Sequence, residues 1–250
     1  MTPRKRFVIV GATSAIAEHC ARRWVQDVDV DMTLVGRDKT RIEHVAEDLH
    51  VRSPGSTFQI RTEDCLDPQA IRRLSDDVAV QGVPDVVLIA HGTLPDQESC
   101  QKDLDACWHA LAVTGLSPAL YAEAFAHHLA QRGHGTLAFI GSVAGDRGRK
   151  SNYIYGAAKG LLDRYAEGLQ HRFAGTGVRV VLVKPGPTDT PMTARLKAKG
   201  ASLAAVDDVA KRIVAAVEEG RPVVYVPSKW RLIMWIIRHL PAPLFNRLDI

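Results

Sequence analysis

The amino-acid sequence predicts an α/β fold, a single-domain, Rossmann-type, doubly wound parallel sheet of about seven strands. Short apolar runs rich in Val, Ile and Leu alternate with longer stretches of helical composition along the whole chain. Glycine, proline or polar residues follow most of these runs, and ligands of such sheets bind at the carboxyl ends of the strands. A chain of 250 residues is long enough to bury one core of this kind. We therefore expect residues 1–250 to form one domain.

The predicted elements follow one another in βα order. The predicted strands are residues 7–10, 32–35, 57–61, 85–89, 136–141, 179–183 and 223–226. The predicted helices beyond the first turn are residues 39–51, 99–131, 155–174 and 209–219. Pro118 and Gly115 weaken the continuity of the helix over 99–131. The strand ends carry the candidate ligand-binding residues Gly11, Arg37, Asp64, Gly92, Ser142 and Pro185.

Composition and charge exclude several classes of protein. The formal charge of +4 is mild and no basic helix carries interleaved aromatic residues, so we expect no nucleic-acid partner. The four cysteines lack metal or redox spacing and the ten histidines form no His-Glu-x-x-His motif, so we expect no metal site. Scattered cysteines are typical of reduced thiols in a cytoplasmic protein. A basic start precedes the first apolar run, but a glycine-rich turn interrupts that run, which favours a strand over an export signal.

The first predicted strand leads into a turn of small residues, Gly-Ala-Thr-Ser-Ala-Ile-Ala over residues 11–17. Gly11 permits a sharp turn, and small side chains let the backbone approach a pyrophosphate closely. The helix that follows offers free N–H groups and the positive end of its dipole. Two of the usual three glycines of this fingerprint are alanine here, but its place after the first strand restores specificity. The predicted phosphate-binding residues are Gly11, Thr13, Ser14, Ala15 and Ile16.

Ser142, Tyr155 and Lys159 form the candidate catalytic set. Tyr155 and Lys159 are four residues apart and so share one face of a helix. An ammonium group nearby favours a phenolate, so we expect Lys159 to lower the Tyr155 pKa from about 10 and make proton transfer easier. Ser142 ends an apolar strand and could hold a carbonyl oxygen beside the tyrosine. A lone Tyr-x-x-x-Lys pair is more often an exposed helical face, but with the serine the set suits hydride addition to a ketone.

The ordered motifs resemble the short-chain dehydrogenase/reductase family over roughly the whole chain. The resemblance rests on residues 11–17, Ala-His-Gly at 90–92, Ser142, Tyr155-Gly-Ala-Ala-Lys159 and Pro-Gly-Pro-Thr-Asp-Thr at 185–190. It implies an NAD(P)-binding domain and an NAD(P)-dependent oxidoreductase acting on CH–OH and C=O groups. It also implies that Ser142 polarises the substrate carbonyl, Tyr155 transfers the proton, and Lys159 binds the nicotinamide ribose. Further implied cofactor contacts are Ala90, His91, Gly92, Pro185, Gly186, Thr188 and Thr190.

The sequence departs from the family pattern at two positions. His91 stands within a segment that usually reads Asn-Asn-Ala-Gly, and it either faces the cofactor or fills space. The family often carries a fourth catalytic Asn three residues before a glycine, and the matching residue before Gly115 is Ala112. Solvent or a backbone carbonyl would then replace that Asn in a proton relay. Ala112 leaves open the alternative that the chain is a dinucleotide-binding regulator that has lost its catalytic activity.

Arg37 decides the expected choice of cofactor. A carboxylate at the end of the second strand binds the ribose 2′-hydroxyl, whereas a guanidinium suits a 2′-phosphate. We therefore expect NADP(H) in preference to NAD(H), with Asp64 near the adenine. Asp38 would weaken this preference if it paired with Arg37.

A narrower resemblance links the motifs at 11–17, 90–97 and 145–153 to the family members that reduce decaprenylphosphoryl-2-keto-ribose. It implies a keto-sugar carried on a polyprenyl phosphate as substrate and a flavoprotein oxidase as functional partner. A soluble ketone or a keto-acyl substrate is the alternative. Three cations between Ser142 and Tyr155 are candidates to hold a substrate phosphate, or else form a solvated basic loop: Arg147, Arg149 and Lys150.

Residues 229–250 form an apolar tail with two tryptophans. Its apolar core, residues 232–237, is shorter than the roughly 20 residues that span a bilayer. We expect peripheral contact with the inner face of the membrane or contact with another subunit of a homo-oligomer.

Overall fold

The computed structural model describes residues 4–26 and 28–248. Its centre is one seven-stranded sheet with the order β3-β2-β1-β4-β5-β6-β7, and all neighbouring strands are parallel. The strands are β1 (Lys5–Val10), β2 (Val30–Gly36), β3 (Thr57–Thr62), β4 (Val86–Ile89), β5 (His134–Ile140), β6 (Gly177–Pro185) and β7 (Val223–Val226). The predicted doubly wound Rossmann-type sheet is therefore confirmed.

Helices cover both faces of the sheet. They are α1 (Ala15–Trp24), α2 (Lys39–Arg52), α3 (Pro68–Gln81), α4 (Gln97–Lys102), α5 (Leu104–Leu111), α6 (Ser117–Arg132), α7 (Tyr153–Arg172), α8 (Ala194–Ala198), α9 (Val206–Glu219), α10 (Lys229–His239) and α11 (Ala242–Phe245). Short 3₁₀ turns cover Val143–Asp146 and Pro191–Thr193, and a π-helical segment covers Ala112–Leu116.

The sheet separates two hydrophobic cores. Ile9 of β1 is buried in one core with Ile213 of α9, whereas the neighbouring Val8 is buried in the other with Phe125 of α6. Successive strand residues point to opposite faces, so a strand covered on both sides is apolar throughout. All four residues of β4 are buried, as this arrangement requires. The sequence pattern predicts these two strands because residues 7–10 and 86–89 consist only of Val, Ile, Leu and Phe.

The single helix predicted over 99–131 is interrupted once, at Asp103, and from Leu104 to Arg132 the backbone stays helical through α5, the π-helical segment and α6. Asp103 adopts an extended backbone and its carboxylate accepts hydrogen bonds from the Asp105 and Ala106 N–H groups, so it ends α4 and caps α5. Pro118 has no N–H for the α-helical hydrogen bond to the residue four positions earlier, and it directly follows the π-helical segment, where that bonding pattern changes. The helix α3, which the sequence analysis did not predict, begins at Pro68 behind an Asp67 cap.

The carboxyl ends of the central strands form the edge on which a ligand can bind. The strand order reverses between β1 and β4, since β2 and β3 lie on one side of β1 and the later strands on the other. The loops that follow β1, β4, β5 and β6 meet at this edge, which is where open α/β sheets bind their ligands.

Candidate active site

Ser142, Tyr155 and Lys159 come together at the carboxyl edge of the sheet. Lys159 is buried on α7, where its Nζ donates a hydrogen bond to the Ile140 carbonyl at 2.7 Å. The same Nζ lies 5.9 Å from the centre of the Tyr155 ring. The Ser142 Oγ accepts the Ala144 N–H at 3.1 Å, so its own proton remains available for another acceptor. The three predicted catalytic side chains therefore share one site.

The protonation of Tyr155 differs from the sequence-based expectation. Burial raises the pKa of Tyr155, and a hydrogen bond with Ser142 opposes that shift. The prediction that Lys159 lowers this pKa below its usual value is wrong for the protein alone, because the loss of solvent outweighs the other effects. Burial also lowers the pKa of Lys159 to about 8, which Asp163 opposes. Tyr155 is thus a protonated phenol at neutral pH and suits the role of proton donor.

Glycines allow the segments of the site to pack closely. A Cβ at Gly156 of α7 would lie 2.9 Å from the Ala144 carbonyl oxygen, in the 3₁₀ turn after Ser142. A Cβ at Gly115 would lie 3.0 Å from the Ala158 carbonyl oxygen, on the other side of α7. Neither position has room for a larger residue, so Gly156 sets how closely the Ser142 turn approaches α7 and Gly115 sets how closely the π-helical segment approaches it.

The turn after β1 has the features of a phosphate-binding loop. Gly11 has a φ of 85°, and a Cβ there would lie 2.6 Å from the backbone nitrogen of His91. The Gly11 and Ala12 N–H groups both donate to the Val35 carbonyl, which fixes the turn against β2. Ser14 precedes α1, and its side chain makes no capping hydrogen bond. The first N–H groups of α1 are therefore left for an anion, and Thr13, Ala15 and Ile16 line the same turn with partial exposure.

His91 is a neutral packing residue of the loop after β4. Its Nε2 lies 2.8 Å from the Ser117 Oγ, and its ring meets Tyr121 edge-on at 5.4 Å between centroids. Burial, with the charges of Lys159 and Arg37, lowers the pKa of His91 to about 3. Of the two interpretations left open by the sequence, these contacts favour the space-filling one.

Ala90 and Gly92 border the catalytic lysine. Ala90 is buried, and a Cβ at Gly92 would lie 3.5 Å from the Lys159 Nζ. The Thr93 N–H donates to the Thr114 Oγ1 at 3.0 Å, which ties this loop to the π-helical segment. Ala112 is buried at the start of that segment, so no amide side chain is present where the family's Asn is often found.

Arg37 is exposed at the carboxyl end of β2 and, within the residues that the structure describes, makes no ion pair. Asp38 does not pair with it, because the Asp38 carboxylate accepts the Arg41 N–H at 3.1 Å and caps α2. Asp64 is exposed at the end of β3, and its carboxylate accepts the Leu66 N–H at 2.9 Å. The Arg37 guanidinium is thus available to an anionic ligand.

The segment from Pro185 to Thr190 is held in one shape by its own hydrogen bonds. The buried Thr188 donates its hydroxyl proton to the Gly186 carbonyl at 3.0 Å. The Thr190 N–H donates to the Thr193 Oγ1 at 3.2 Å. A Cβ at Gly186 would overlap the Trp230 indole, so the start of α10 packs directly on this segment.

The basic loop after Ser142 does not present its cations as predicted. Arg147 donates to the Ile237 and Leu240 carbonyls and stacks on the Phe245 ring at 3.6 Å. The assignment of Arg147 to a substrate phosphate is therefore wrong, because its guanidinium holds α10 and α11 instead. Arg149 is half-buried, its Nε lacks a hydrogen-bond partner, and burial lowers its pKa. Lys150 is exposed beside them.

A buried charge cluster behind the site was not predicted. Lys184 of β6 pairs with Asp146 and with Asp163, and all three side chains are almost fully buried. Two signals were present in the sequence. Lys184 directly follows the apolar run of residues 180–183, and Asp163 lies one helical turn after Lys159, following two leucines.

The tail forms an amphipathic helix rather than a membrane span. Met234 of α10 is fully buried, whereas Leu232, Trp235 and Ile236 are exposed. Within the described part of the chain, no helix has the length and apolarity needed to cross a membrane. In the same residues, no cluster of three or more potential metal ligands is found.

Comparison with known proteins shows which family of proteins the chain is similar to. The model of the short chain dehydrogenase family matches residues 5–218. An uncharacterized oxidoreductase from Streptomyces coelicolor is 34% identical over 98% of this chain and 96% of its own length. Sulfoacetaldehyde reductase 2 from Chromohalobacter salexigens is 31% identical over 74% of this chain and 73% of its own length. A short-chain dehydrogenase from Burkholderia cenocepacia in complex with NADP has the same fold, with a TM-score of 0.82 at 18% identity over 99% of this chain and 98% of that one.

Proposed function

The chain belongs to the short-chain dehydrogenase family and is an NAD(P)-dependent oxidoreductase, and we propose that it uses NADPH to reduce a ketone to an alcohol. The observation that carries this proposal is the convergence of Ser142, Tyr155 and Lys159 beside the loops suited to a dinucleotide. The protonated state of Tyr155 supports the reductive direction, which needs a proton donor.

Each side chain has one task in the reaction. Bound NADPH supplies a hydride to the carbonyl carbon and becomes NADP⁺. Ser142 donates a hydrogen bond to the carbonyl oxygen, and Tyr155 transfers its proton to the same oxygen as the alcohol forms. The Lys159 ammonium holds the nicotinamide ribose and stabilises the phenolate left behind. Because Ala112 has no side-chain amide, solvent supplies the proton that returns to the Tyr155 phenolate, and a backbone carbonyl such as that of Ile140 replaces the amide as the acceptor that orients the relay.

The class of activity is tested by incubating the protein with NADPH and a panel of ketones and following the loss of NADPH absorbance. Ketone-dependent oxidation of NADPH supports the reductase. Tight binding of NADPH without turnover of any ketone would instead support the dinucleotide-binding regulator.

We expect NADPH to be preferred over NADH because Arg37 is exposed, is unpaired within the described residues and stands where a 2′-phosphate would bind. Arg37→Ala should raise the KM for NADPH by about tenfold or more and change that for NADH little. Arg72→Ala, which removes an exposed arginine from α3, is the matched control and should change neither. Steady-state kinetics with both cofactors decide the matter. A clear NADH preference that Arg37→Ala leaves unchanged would refute the assignment.

A keto-sugar carried on a polyprenyl phosphate remains our first proposal for the substrate. It is supported by the motifs shared with reductases of such sugars and by the exposed face of α10, formed by Leu232, Trp235 and Ile236. Residues 229–248 contain no Asp or Glu but four basic residues, Lys229, Arg231, Arg238 and Arg247. This segment therefore suits an anionic membrane surface. We propose a cytoplasmic protein that binds the inner face of the membrane. A soluble carbonyl compound is the alternative, and the similarity to a sulfoacetaldehyde reductase favours a small anionic one.

Trp235→Ala should weaken binding to vesicles that contain phosphatidylglycerol, because an exposed tryptophan at the edge of a basic helix inserts at the lipid interface. Trp108→Ala is the matched control, since Trp108 of α5 is exposed to the same degree, 62% against 60%. Vesicle co-sedimentation measures both. Equal binding by the two variants and by the unchanged protein, or binding only to neutral phosphatidylcholine, would exclude this surface as the membrane contact.

Two further partners belong to this proposal. A homo-oligomer is supported by exposed apolar side chains on neighbouring segments, which a second subunit would cover: Leu104, Leu116, Tyr153 and Leu161. A flavoprotein oxidase would supply the ketone, since a keto-sugar arises by oxidation of the corresponding alcohol.

A further inference from the structure

A single buried ion cluster joins all three segments that build the active site. The Lys184 Nζ on β6 lies 2.8 Å from the Asp163 carboxylate on α7 and also pairs with Asp146 at the end of the 3₁₀ turn. The Tyr225 hydroxyl of β7 donates to the second Asp146 oxygen at 3.0 Å. The side chains of Lys184, Asp146 and Asp163 are 5%, 1% and 2% exposed, so water does not compensate their charges.

Each charged member of the cluster lies close in sequence to a residue assigned to the active site. Asp146 ends the turn that begins at Ser142, and Asp163 lies one helical turn beyond Lys159. Lys184 precedes Pro185 and Gly186, the segment expected to seat the nicotinamide. Gly145 makes room for this arrangement, since a Cβ there would lie 2.6 Å from the Asp163 carboxylate.

The charges within the cluster do not balance. Two carboxylates face one ammonium, which leaves an excess of one negative charge in a buried space. Lys159 is a buried cation outside the cluster, and the Asp163 charge acts on it to favour the ammonium form. The four side chains are neutral in sum only while Lys159 is protonated. A buried ion cluster is often no more stable than apolar residues of the same volume, so stability alone does not account for it.

We propose that Asp163, held by Lys184, is a positioning residue that keeps Lys159 charged and in register with Ser142, an inference that rests on the proposed reductase function. Lys159 is buried and, among the described residues, its one hydrogen bond is to the Ile140 carbonyl, a neutral group. The Asp163 carboxylate provides the negative charge that a buried ammonium requires. Lys184 opposes the protonation of Asp163, because it pairs directly with that carboxylate.

The proposal has a defined range of pH. Burial raises the pKa of Asp163 to about 6 and lowers that of Lys159 to about 8, so both groups are charged together between these values. Below this window Asp163 is neutral, and its support of Lys159 is lost. Above it Lys159 loses its proton. The other titratable or charged groups around the pair are His91, Asp146, Tyr155, Arg164, Lys184 and Tyr225.

Asp163→Asn keeps the shape of the side chain but removes its charge, and so should lower the Lys159 pKa. We expect kcat/KM for ketone reduction to fall about fivefold at about pH 8, because lowering the Lys159 pKa by one unit from about 8 reduces its charged fraction from about one half to about one tenth. Near pH 6 and below, the variant and the unchanged protein should converge to within about twofold, since Asp163 is then neutral in both. Carbon-13 NMR of labelled lysines, with Lys159 assigned by Lys159→Arg, should show the Lys159 titration moved to lower pH.

Asp85→Asn is the matched control for a merely structural effect. Asp85 pairs with Arg132 at 2.6 Å and accepts the Arg6 N–H, at the opposite edge of the sheet from the catalytic groups. This variant should lower thermal stability without moving either the pH profile or the Lys159 titration. If Asp163→Asn behaves in the same way, the positioning role is overturned.

The two proposals fail in different ways. Absence of ketone reduction by the unchanged protein, with the Lys159 titration still moved by Asp163→Asn, would refute the reductase and support the electrostatic coupling. Ketone reduction whose pH profile is the same in both proteins would support the reductase and refute the coupling. Because the NMR measurement needs no turnover, it decides the coupling in either case.

Discussion

Tyr155→Phe should lower kcat for ketone reduction by about 100- to 10,000-fold, the usual contribution of a general acid. The substitution keeps the ring and removes only the hydroxyl that shares a hydrogen bond with Ser142. Without it, the oxygen of the reduced carbonyl loses the group that transfers a proton to it, and only the hydrogen bond from Ser142 remains. NADPH should still bind with nearly unchanged affinity, because the phosphate-binding turn after β1 and Lys159 are intact. Stopped-flow turnover and fluorescence titration of NADPH separate the two effects.

Tyr153→Phe provides the control for this measurement. Tyr153 begins the same helix two residues earlier, is 44% exposed and has no lysine four residues further on. Its replacement should leave turnover within about twofold of the unchanged protein. If Tyr155→Phe retains turnover within a few-fold of the unchanged protein, Tyr155 is not the proton donor.

Lys159→Met should cause the second large loss, about 100-fold or more in kcat/KM. Methionine has a similar length and suits the buried position, so the fold should persist. The loss should include weaker binding of NADPH, since Lys159 borders Gly92 in the nicotinamide region. The residual reaction should also lack the decline in rate that deprotonation of Lys159 causes near pH 8, where its pKa lies. Rates measured across pH with saturating NADPH test this directly.

Lys211→Met is the matched control for Lys159→Met. Lys211 is exposed on α9 and is not among the residues assigned to the cofactor or the substrate, so its loss should change neither NADPH binding nor rate. A Lys159→Met protein with full activity would remove the ammonium from the mechanism altogether.

The sheet and the catalytic trio could be predicted because they depend on local patterns. The strands are short apolar runs, and Ser142 follows one of them at the edge where such sheets bind ligands. Tyr155 and Lys159 share a helix, so their spacing alone places them on one face. The helix predicted over 99–131 is not continuous, because the Asp103 carboxylate accepts hydrogen bonds from the backbone N–H groups of Asp105 and Ala106 and so begins a new helix.

The contacts of Arg147 and Asp146 could not be predicted from the sequence, because they join distant parts of the chain. Arg147 meets the carbonyl of Ile237, 90 residues away, and no local pattern distinguishes that contact from a solvated basic loop. Asp146 likewise pairs with Lys184 rather than with a neighbouring arginine, because β6 runs directly behind the turn. The raised pKa of Tyr155 follows from burial, which spacing along a helix does not reveal.

The most direct test of the proposed function is transfer of a label from the cofactor to the substrate. NADPH carrying deuterium at the transferable position of the nicotinamide is incubated with the protein and a ketone that it consumes, and the product is analysed by mass spectrometry. We predict an alcohol with one deuterium on the former carbonyl carbon, formed in equal amount with NADP⁺ by the unchanged protein and not by Tyr155→Phe. An alcohol without deuterium, or oxidation of NADPH without formation of alcohol, would contradict ketone reduction by Ser142, Tyr155 and Lys159.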